Sequence, residues 1–239
     1  MRLGTAGWNV PSLYVDQVPP GGSHLERYAR RLNAVEINSS FYRPHRRTTY
    51  QRWAQSVPDD FRFSVKVSKT ITHHAGLADC NALLDRFVGE VAGLSDKLGV
   101  LLVQLAPKSA LKKRVAASFF RALRTRINTD VALEPRHASW FAPGVSEWLA
   151  ERGIARVAAD PAPLAGVERP GGRTEIAYYR WHGSPRIYYS SYGAAALASL
   201  KQRLEHDQVR DISTWCIFDN TAAGAALGNA LELAQSLRL

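Results

Sequence analysis

Residues 34–41, Ala34-Val35-Glu36-Ile37-Asn38-Ser39-Ser40-Phe41, decide how this chain is read. In an extended strand successive side chains point to opposite faces. Val35 and Ile37 then share one face, while Glu36, Asn38 and Ser40 share the other. A strand that is apolar outside and polar inside toward its carboxyl end fits the wall of a barrel, packed under helices and open at a solvated mouth. The pattern recurs along the chain. On 62–68, Phe63, Val65 and Val67 face helices and Ser64 and Lys66 face in. On 99–106, Gln104 turns inward beside Leu102, and on 130–136, Val131 and Leu133 go out while Ala132, Glu134 and Arg136 go in. The strand at 154–160 ends on an inward Asp160, that at 176–182 presents Tyr178, Arg180 and His182, and that at 214–220 presents Cys216, Phe218 and then Asn220. Unpaired charge deep in a barrel is costly, so these groups belong near the mouth.

With a first strand at 2–7, helical patterns fall between the strands at 23–32, 48–56, 79–96, 111–126 and 143–152, then at 193–206 and 223–237. Strands alternating with helices predict βαβ units and a parallel sheet. The expected fold is α/β, one closed parallel (β/α)₈ TIM-type barrel over residues 1–239. Residues 161–175, PAPLAGVERPGGRTE, carry three prolines and an adjacent glycine pair where the sixth helix is due, so a loop is expected there.

The chain has 31 Lys+Arg against 21 Asp+Glu, a formal net charge of +10. That balance favours anionic partners, nucleic acid among them, but the basic residues are spread along the chain, as composition alone would also leave them. The best candidate for a basic surface is Arg43, His45, Arg46 and Arg47. Cys80 and Cys216 lie far apart and outside any CxxC spacing, which argues against a disulfide framework or structural zinc. No signal peptide opens the sequence, and the apolar run 98–106 is too short for a bilayer, so a cytoplasmic protein without a membrane partner is expected.

The inferred mouth gathers Lys66, Arg136 and Arg180, the acids Glu36, Glu134 and Asp160, and His182, with Asn38, Gln104 and Asn220 between them. His137 and the aromatics Trp8, Phe41, Tyr42, Trp140 and Trp181 lie nearby, as in a ligand pocket. Such a ring can also be a mutually neutralising set of ion pairs that closes the barrel top. Read as a site, Glu134 is the expected base, His182 the acid or its relay, and Glu36 a second carboxylate, with the cations holding an anion. Paired carboxylates would also suit glycosidic cleavage. A divalent-metal hydrolase or isomerase using Glu36, Glu134, Asp160 and His182 is the alternative, although three cations would repel the ion. Thr221 at the start of the last helix and the 182–192 segment suggest a phosphate. No Walker loop or GxGxxG follows a strand, so no cofactor is implied.

The motifs resemble the YecE-like family, catalogued as domain of unknown function 72. They are Gly4-Thr5-Ala6-Gly7-Trp8, Val35 to Tyr42, Phe63-Ser64-Val65-Lys66 with Ile71-Thr72-His73, Lys97-Leu98-Gly99 with Gln104 to Pro107, and Glu134 to Trp140. Tyr179-Arg180-Trp181-His182-Gly183 and Phe218-Asp219-Asn220, with Gly224 and Asn229-Ala230, complete the series in order. The resemblance implies a TIM barrel with a polar strand-end pocket and no settled activity. Two departures stand out against the family's usual Ser and Asn-Asn: Ala6, and Asp219 before Asn220, which adds an acid beside the mouth. The stretch from Asn9 to Pro20 also looks shortened. The function expected is an enzyme, a hydrolase or isomerase, acting on a small anionic (phosphorylated) or sugar-like ligand by acid/base chemistry. The alternatives are the metal-dependent enzyme and a non-catalytic polyanion binder.

Overall fold

The alternating runs form strands in the computed structural model, which describes residues 1–238. They are β1 (Arg2–Thr5), β2 (Ala34–Ile37), β3 (Arg62–Lys66), β4 (Leu98–Gln104), β5 (Asp130–Glu134), β6 (Ile154–Arg156), β7 (Ala158–Asp160), β8 (Gly171–Gly172), β9 (Ile176–Trp181) and β10 (Ser213–Phe218). Several stop before the last polar residue of the run, so that Asn38, Arg136, His182 and Asn220 lie in the connections that follow. After Ile37, for instance, the chain turns at once into α2 (Ser39–Tyr42). The other helices are α1 (His24–Ala29), α3 (Arg47–Gln55), α4 (Asn81–Val91), α5 (Lys113–Arg124), α6 (Val145–Ala150), α7 (Ala194–Val209) and α8 (Ala225–Leu237). Local chemistry accounts for their form. A capping box starts α1, with the Ser23 hydroxyl accepting from the Glu26 N–H and the Glu26 carboxylate from the Ser23 N–H. Ala116, Phe119, Phe120 and Leu123 give α5 its single buried stripe.

The ladder divides into a four-stranded sheet, β1-β10-β9-β7, and a six-stranded sheet, β2-β3-β4-β5-β6-β8. Every pairing is parallel except β6 with the two-residue β8, which lies in the proline-glycine segment. No helix occurs between Asp160 and Ile176 among the described residues. Two seams separate the sheets. Between β1 and β2 the Tyr28 hydroxyl is inserted, accepting from the Thr5 N–H at 2.8 Å and donating to the Ala34 carbonyl at 2.9 Å. Just above it Ala6 and Glu36 form an isolated parallel bridge, and Gly7 N–H donates to the Glu36 carbonyl at 2.8 Å. The other seam is the run 154–160, whose first half pairs with β5 and whose second half pairs with β9.

The core has two layers. Ala34, Val100, Leu102, Ala132, Tyr178 and Trp215 belong to an inner cluster, and Val35, Val65, Leu101, Val131, Tyr179 and Phe218 pack with the helices. The expected facing therefore holds on β2, β3, β4, β5 and β9. It is reversed on the two remaining strands: Ala155 and Val157 face in rather than Ala158, and Trp215 and Ile217 face in rather than Cys216 and Phe218. On 214–220 both faces carry apolar residues, and on 154–160 the polar Arg156 and Asp160 share the outward face, so alternation misread both. Volume decides β10. Trp215 fills the interior stacked on Tyr178, with ring centroids 6.2 Å apart, over a bare backbone at Gly99, where a Cβ would come within 2.4 Å of the indole. Among the described residues no helix is long and apolar enough to cross a membrane.

Candidate functional site

Arg180, at the end of β9, is the centre of the polar cluster and has no exposed side-chain surface. Its Nε and Nη2 donate to the two Glu36 oxygens at 2.9 and 2.7 Å, its Nη1 donates to Glu134 Oε2 at 3.1 Å, and Nη2 lies 3.0 Å from Asp219 Oδ2. Three carboxylates around one guanidinium offset its desolvation and push its proton affinity well above the ordinary arginine value. Tyr178 forms the floor, donating to Glu36 at 3.1 Å with the Ser64 hydroxyl 2.9 Å away.

Glu134 is equally committed. Gln104 Nε2 donates to its Oε1 at 3.2 Å, Arg136 Nη2 donates to the same oxygen, and His182 Nε2 lies 2.9 Å from it. Burial alone would raise the Glu134 carboxyl, but Arg180, His182 and Arg136 outweigh it and hold it well below the usual carboxylate range. A carboxylate so stabilised is a poor base. Glu36 and Glu134 also share one arginine, which leaves neither free as a glycosidic nucleophile.

His182 sits among charged groups on both of its ring nitrogens. Its Nδ1 stands 3.0 Å from Asp219 Oδ2, and its Nε2 faces both Glu134 and Arg136 Nη2, the latter at 2.7 Å. With a single proton on Nδ1, the Nε2 lone pair accepts from Arg136; with both nitrogens protonated, Nε2 donates to Glu134. Asp219 is held below its ordinary range, since Arg180 and then His182 overcome the cost of burial. The imidazole is covered by the ring of Tyr188, set edge-on with centroids 5.7 Å apart. Arg136 keeps 16% of its side chain exposed and is the visible rim of the cluster.

Lys66, at the end of β3, stands apart. It is 5% exposed, its ammonium sits 4.3 Å from the centre of the Phe41 ring, and no described residue gives it a hydrogen bond or ion pair. Burial, then Arg180, push its pKa down to about 8 against the attraction of Glu36, Asp219 and Glu134. The unfolded chain holds this proton to roughly pH 10.4. The folded protein therefore gains stability as pH rises from about 8 toward that value. Lys66→Met should stabilise the protein by about 2 kcal/mol at neutral pH and remove that alkaline gain. Urea denaturation from neutral pH to roughly pH 10 checks it; a destabilised Met variant would mean the ammonium has a partner.

The cluster thus brings together Glu36, Gln104, Glu134, Arg136, Arg180 and His182, with Lys66 near Arg180 and Asn38 just past the end of β2. Two expected residues are corrected. Asp160 faces the other way and accepts the Tyr192 hydroxyl at 2.7 Å. Asn220 is buried in a loop brace, donating to the Ser190 carbonyl and Asn229 Oδ1. Both corrections follow from the reversed strands, and the metal alternative loses Asp160 as a ligand. His137 is half-buried on Ser139, Trp8 packs edge-on against Trp53 at 4.9 Å, and Tyr42 lies exposed beside Phe41. Arg43, Arg46 and Arg47 are exposed. Asp219 was missed as a site residue although its departure from the family pattern was visible; the strand parity that excluded it was the misleading signal. His73 lies beyond the third strand in a single wide helical turn, Thr70–His74, with its ring against Phe41.

A family model described as Protein of unknown function DUF72 matches residues 2–239. Over 168 residues the chain is 32% identical to UPF0759 protein YecE of Escherichia coli (strain K12), a match covering 68% of this chain and 60% of that protein's length. It is 23% identical to UPF0759 protein YunF of Bacillus subtilis (strain 168), across 98% of this chain and 94% of that one. Two solved structures share the fold. A DUF72 family protein (EF0366) from Enterococcus faecalis V583 superposes with a TM-score of 0.83 at 22% identity, covering all of this chain and 95% of that one. Another (TM1631), from Thermotoga maritima MSB8, gives 0.82 at 23% identity, covering all of this chain and 99% of that one.

Proposed function

The chain belongs to the DUF72 family, and from that premise we propose that it is an enzyme using His182 for acid/base chemistry on a small anionic, phosphorylated or sugar-like substrate. The supporting observation is an imidazole held between Asp219 and Glu134 with Arg136 against its Nε2. The two carboxylates fix the ring, and an imidazole within hydrogen-bond reach of acids on both nitrogens and of a guanidinium has partners to exchange a proton with. Arg136, as the exposed rim, binds the anionic part of the substrate. Glu36, Glu134 and Arg180 hold the site in shape. Displacement of Tyr188 admits the reacting atom to His182.

The reading includes closure of the two sheets into one (β/α)₈ barrel. The Ala6–Glu36 bridge and the 154–160 run, shared between both sheets, support it. Strand ends on opposite sides of a closed wall then face a common mouth, where barrel enzymes carry out their chemistry.

A thermal-shift screen of small phosphorylated and sugar-acid compounds, followed by turnover assays on each hit, tests this. His182→Gln should keep ligand-induced stabilisation and lose turnover by roughly 10²-fold or more. Arg136→Met should lose the stabilisation itself. Equal turnover in wild type and His182→Gln would overturn the proposal.

A further inference from the structure

Lys66 is not used by the acid/base reading, and its surroundings are unusual for an ammonium. Glu36 and Glu134 have both oxygens engaged by other groups, and Asp219 is taken by Arg180 and His182. Lys66 therefore has charged neighbours but no partner. The groups around it come from several elements: Phe41 on α2, His73 on the 70–74 turn, Arg180 on β9, and Glu36, Glu134 and Asp219. The buried polar atoms left without a partner are Asn38 Oδ1, Arg156 Nη1 and Asn220 Oδ1, so the Lys66 ammonium, absent from that set, keeps a contact with solvent. Ile37 pairs with Val65, which places Asn38 beside Lys66 at the strand ends. The Lys66 amine thus has no counter-ion at the strand ends, and the Asn38 carboxamide next to it in register has its oxygen buried and unsatisfied.

We propose that Lys66 is a nucleophilic amine that forms a Schiff base with a small carbonyl compound bearing an anionic group. The inference rests on reading the strand-end cluster as an active site, and it names the substrate class of that site. Lysines set in apolar surroundings or beside another cation are those that lose their proton readily enough to add to carbonyls. Phe41 and Arg180 supply both conditions, and the amine is half deprotonated at a pH of about 8. The Nζ lone pair forms a C–N bond to the carbonyl carbon, and the C=O π pair moves to oxygen, which takes a proton. The amine loses a proton to give the neutral carbinolamine. Departure of that oxygen as water, with a proton from His182 or solvent and loss of the remaining N–H proton, leaves the imine. Amine and carbonyl have become imine and water. Arg136 holds the substrate's anionic group.

The test is reductive trapping on the full chain with cyanoborohydride as hydride donor and, in separate arms, pyruvate and dihydroxyacetone phosphate as probes. Peptide mapping by mass should place the reduced adduct on Lys66 at about pH 7.5, forming at least roughly tenfold faster than on any other lysine. Lys66→Arg should abolish that adduct while keeping its melting temperature. Adducts spread evenly over surface lysines, or no adduct on Lys66 with either probe, would overturn the inference. His182→Gln separates the two readings: it should still be trapped at Lys66, so an adduct there with turnover indifferent to His182 sustains the amine and defeats the acid/base reading.

Discussion

Arg180→Met should be the most damaging single change in the polar cluster, lowering stability by roughly 3–5 kcal/mol or more. Arg180 is fully buried and is the cation common to Glu36, Glu134 and Asp219. Methionine fills the space but leaves three carboxylates facing one another without solvent to screen them. For a chain of this length that loss corresponds to a melting temperature lower by on the order of 10 °C. Part of it should return in the double variant Arg180→Met, Glu36→Gln, because one of the stranded charges is then gone. Arg180→Lys should fall between, since a single ammonium cannot span the two Glu36 oxygens and reach Glu134 as well. Equilibrium urea denaturation of the three variants is the measurement. A Met variant within about 1 kcal/mol of wild type would mean that the cluster adds nothing to the folded state.

Gly4→Ala should have a comparable or larger effect for a purely steric reason. A Cβ at Gly4 would lie 2.1 Å from the Ala34 carbonyl oxygen and 3.0 Å from the Tyr28 hydroxyl. The first obstacle is backbone, which no rotamer change relieves, so β1 and β2 must move apart. The Tyr28 hydroxyl bridging Thr5 and Ala34 is then lost as well. We expect a loss on the order of 4 kcal/mol, in the range reserved for core overpacking combined with unsatisfied buried groups. Gly89→Ala in α4 is the control, as a Cβ there meets nothing within 4 Å. That variant should gain up to about 1 kcal/mol from helix propensity. Equal behaviour of the two variants in denaturation would show that β1 and β2 do not approach as described.

Much of the site was legible because polar residues interrupt apolar alternation where a strand has only one polar face. Glu36 between Val35 and Ile37, Lys66 after Val65, and Arg180 between Tyr179 and Trp181 could face only one way. The roles were less legible. Glu134 was expected to be the base, yet its charge is stabilised by Arg180, His182 and Arg136, which makes it a fixed anion. Proton affinity depends on what surrounds a group in three dimensions, and those neighbours come from other strands.

The amino-acid sequence by itself determined the order of strands and helices, the loop in place of a sixth helix, and the strand ends where charge would collect. These are local properties, set by period, turn chemistry and the intolerance of prolines and paired glycines in regular elements. Only the tertiary structure decided the facing of 154–160, whose polar Arg156 and Asp160 turn outward, and of 214–220, where both faces are apolar and Trp215 stacks inside on Tyr178. That choice removed Asp160 and Asn220 from the cluster and brought Asp219 onto Arg180 and His182. It also left Lys66 without a partner, because which charges pair is settled by distance across the interior rather than by position along the chain.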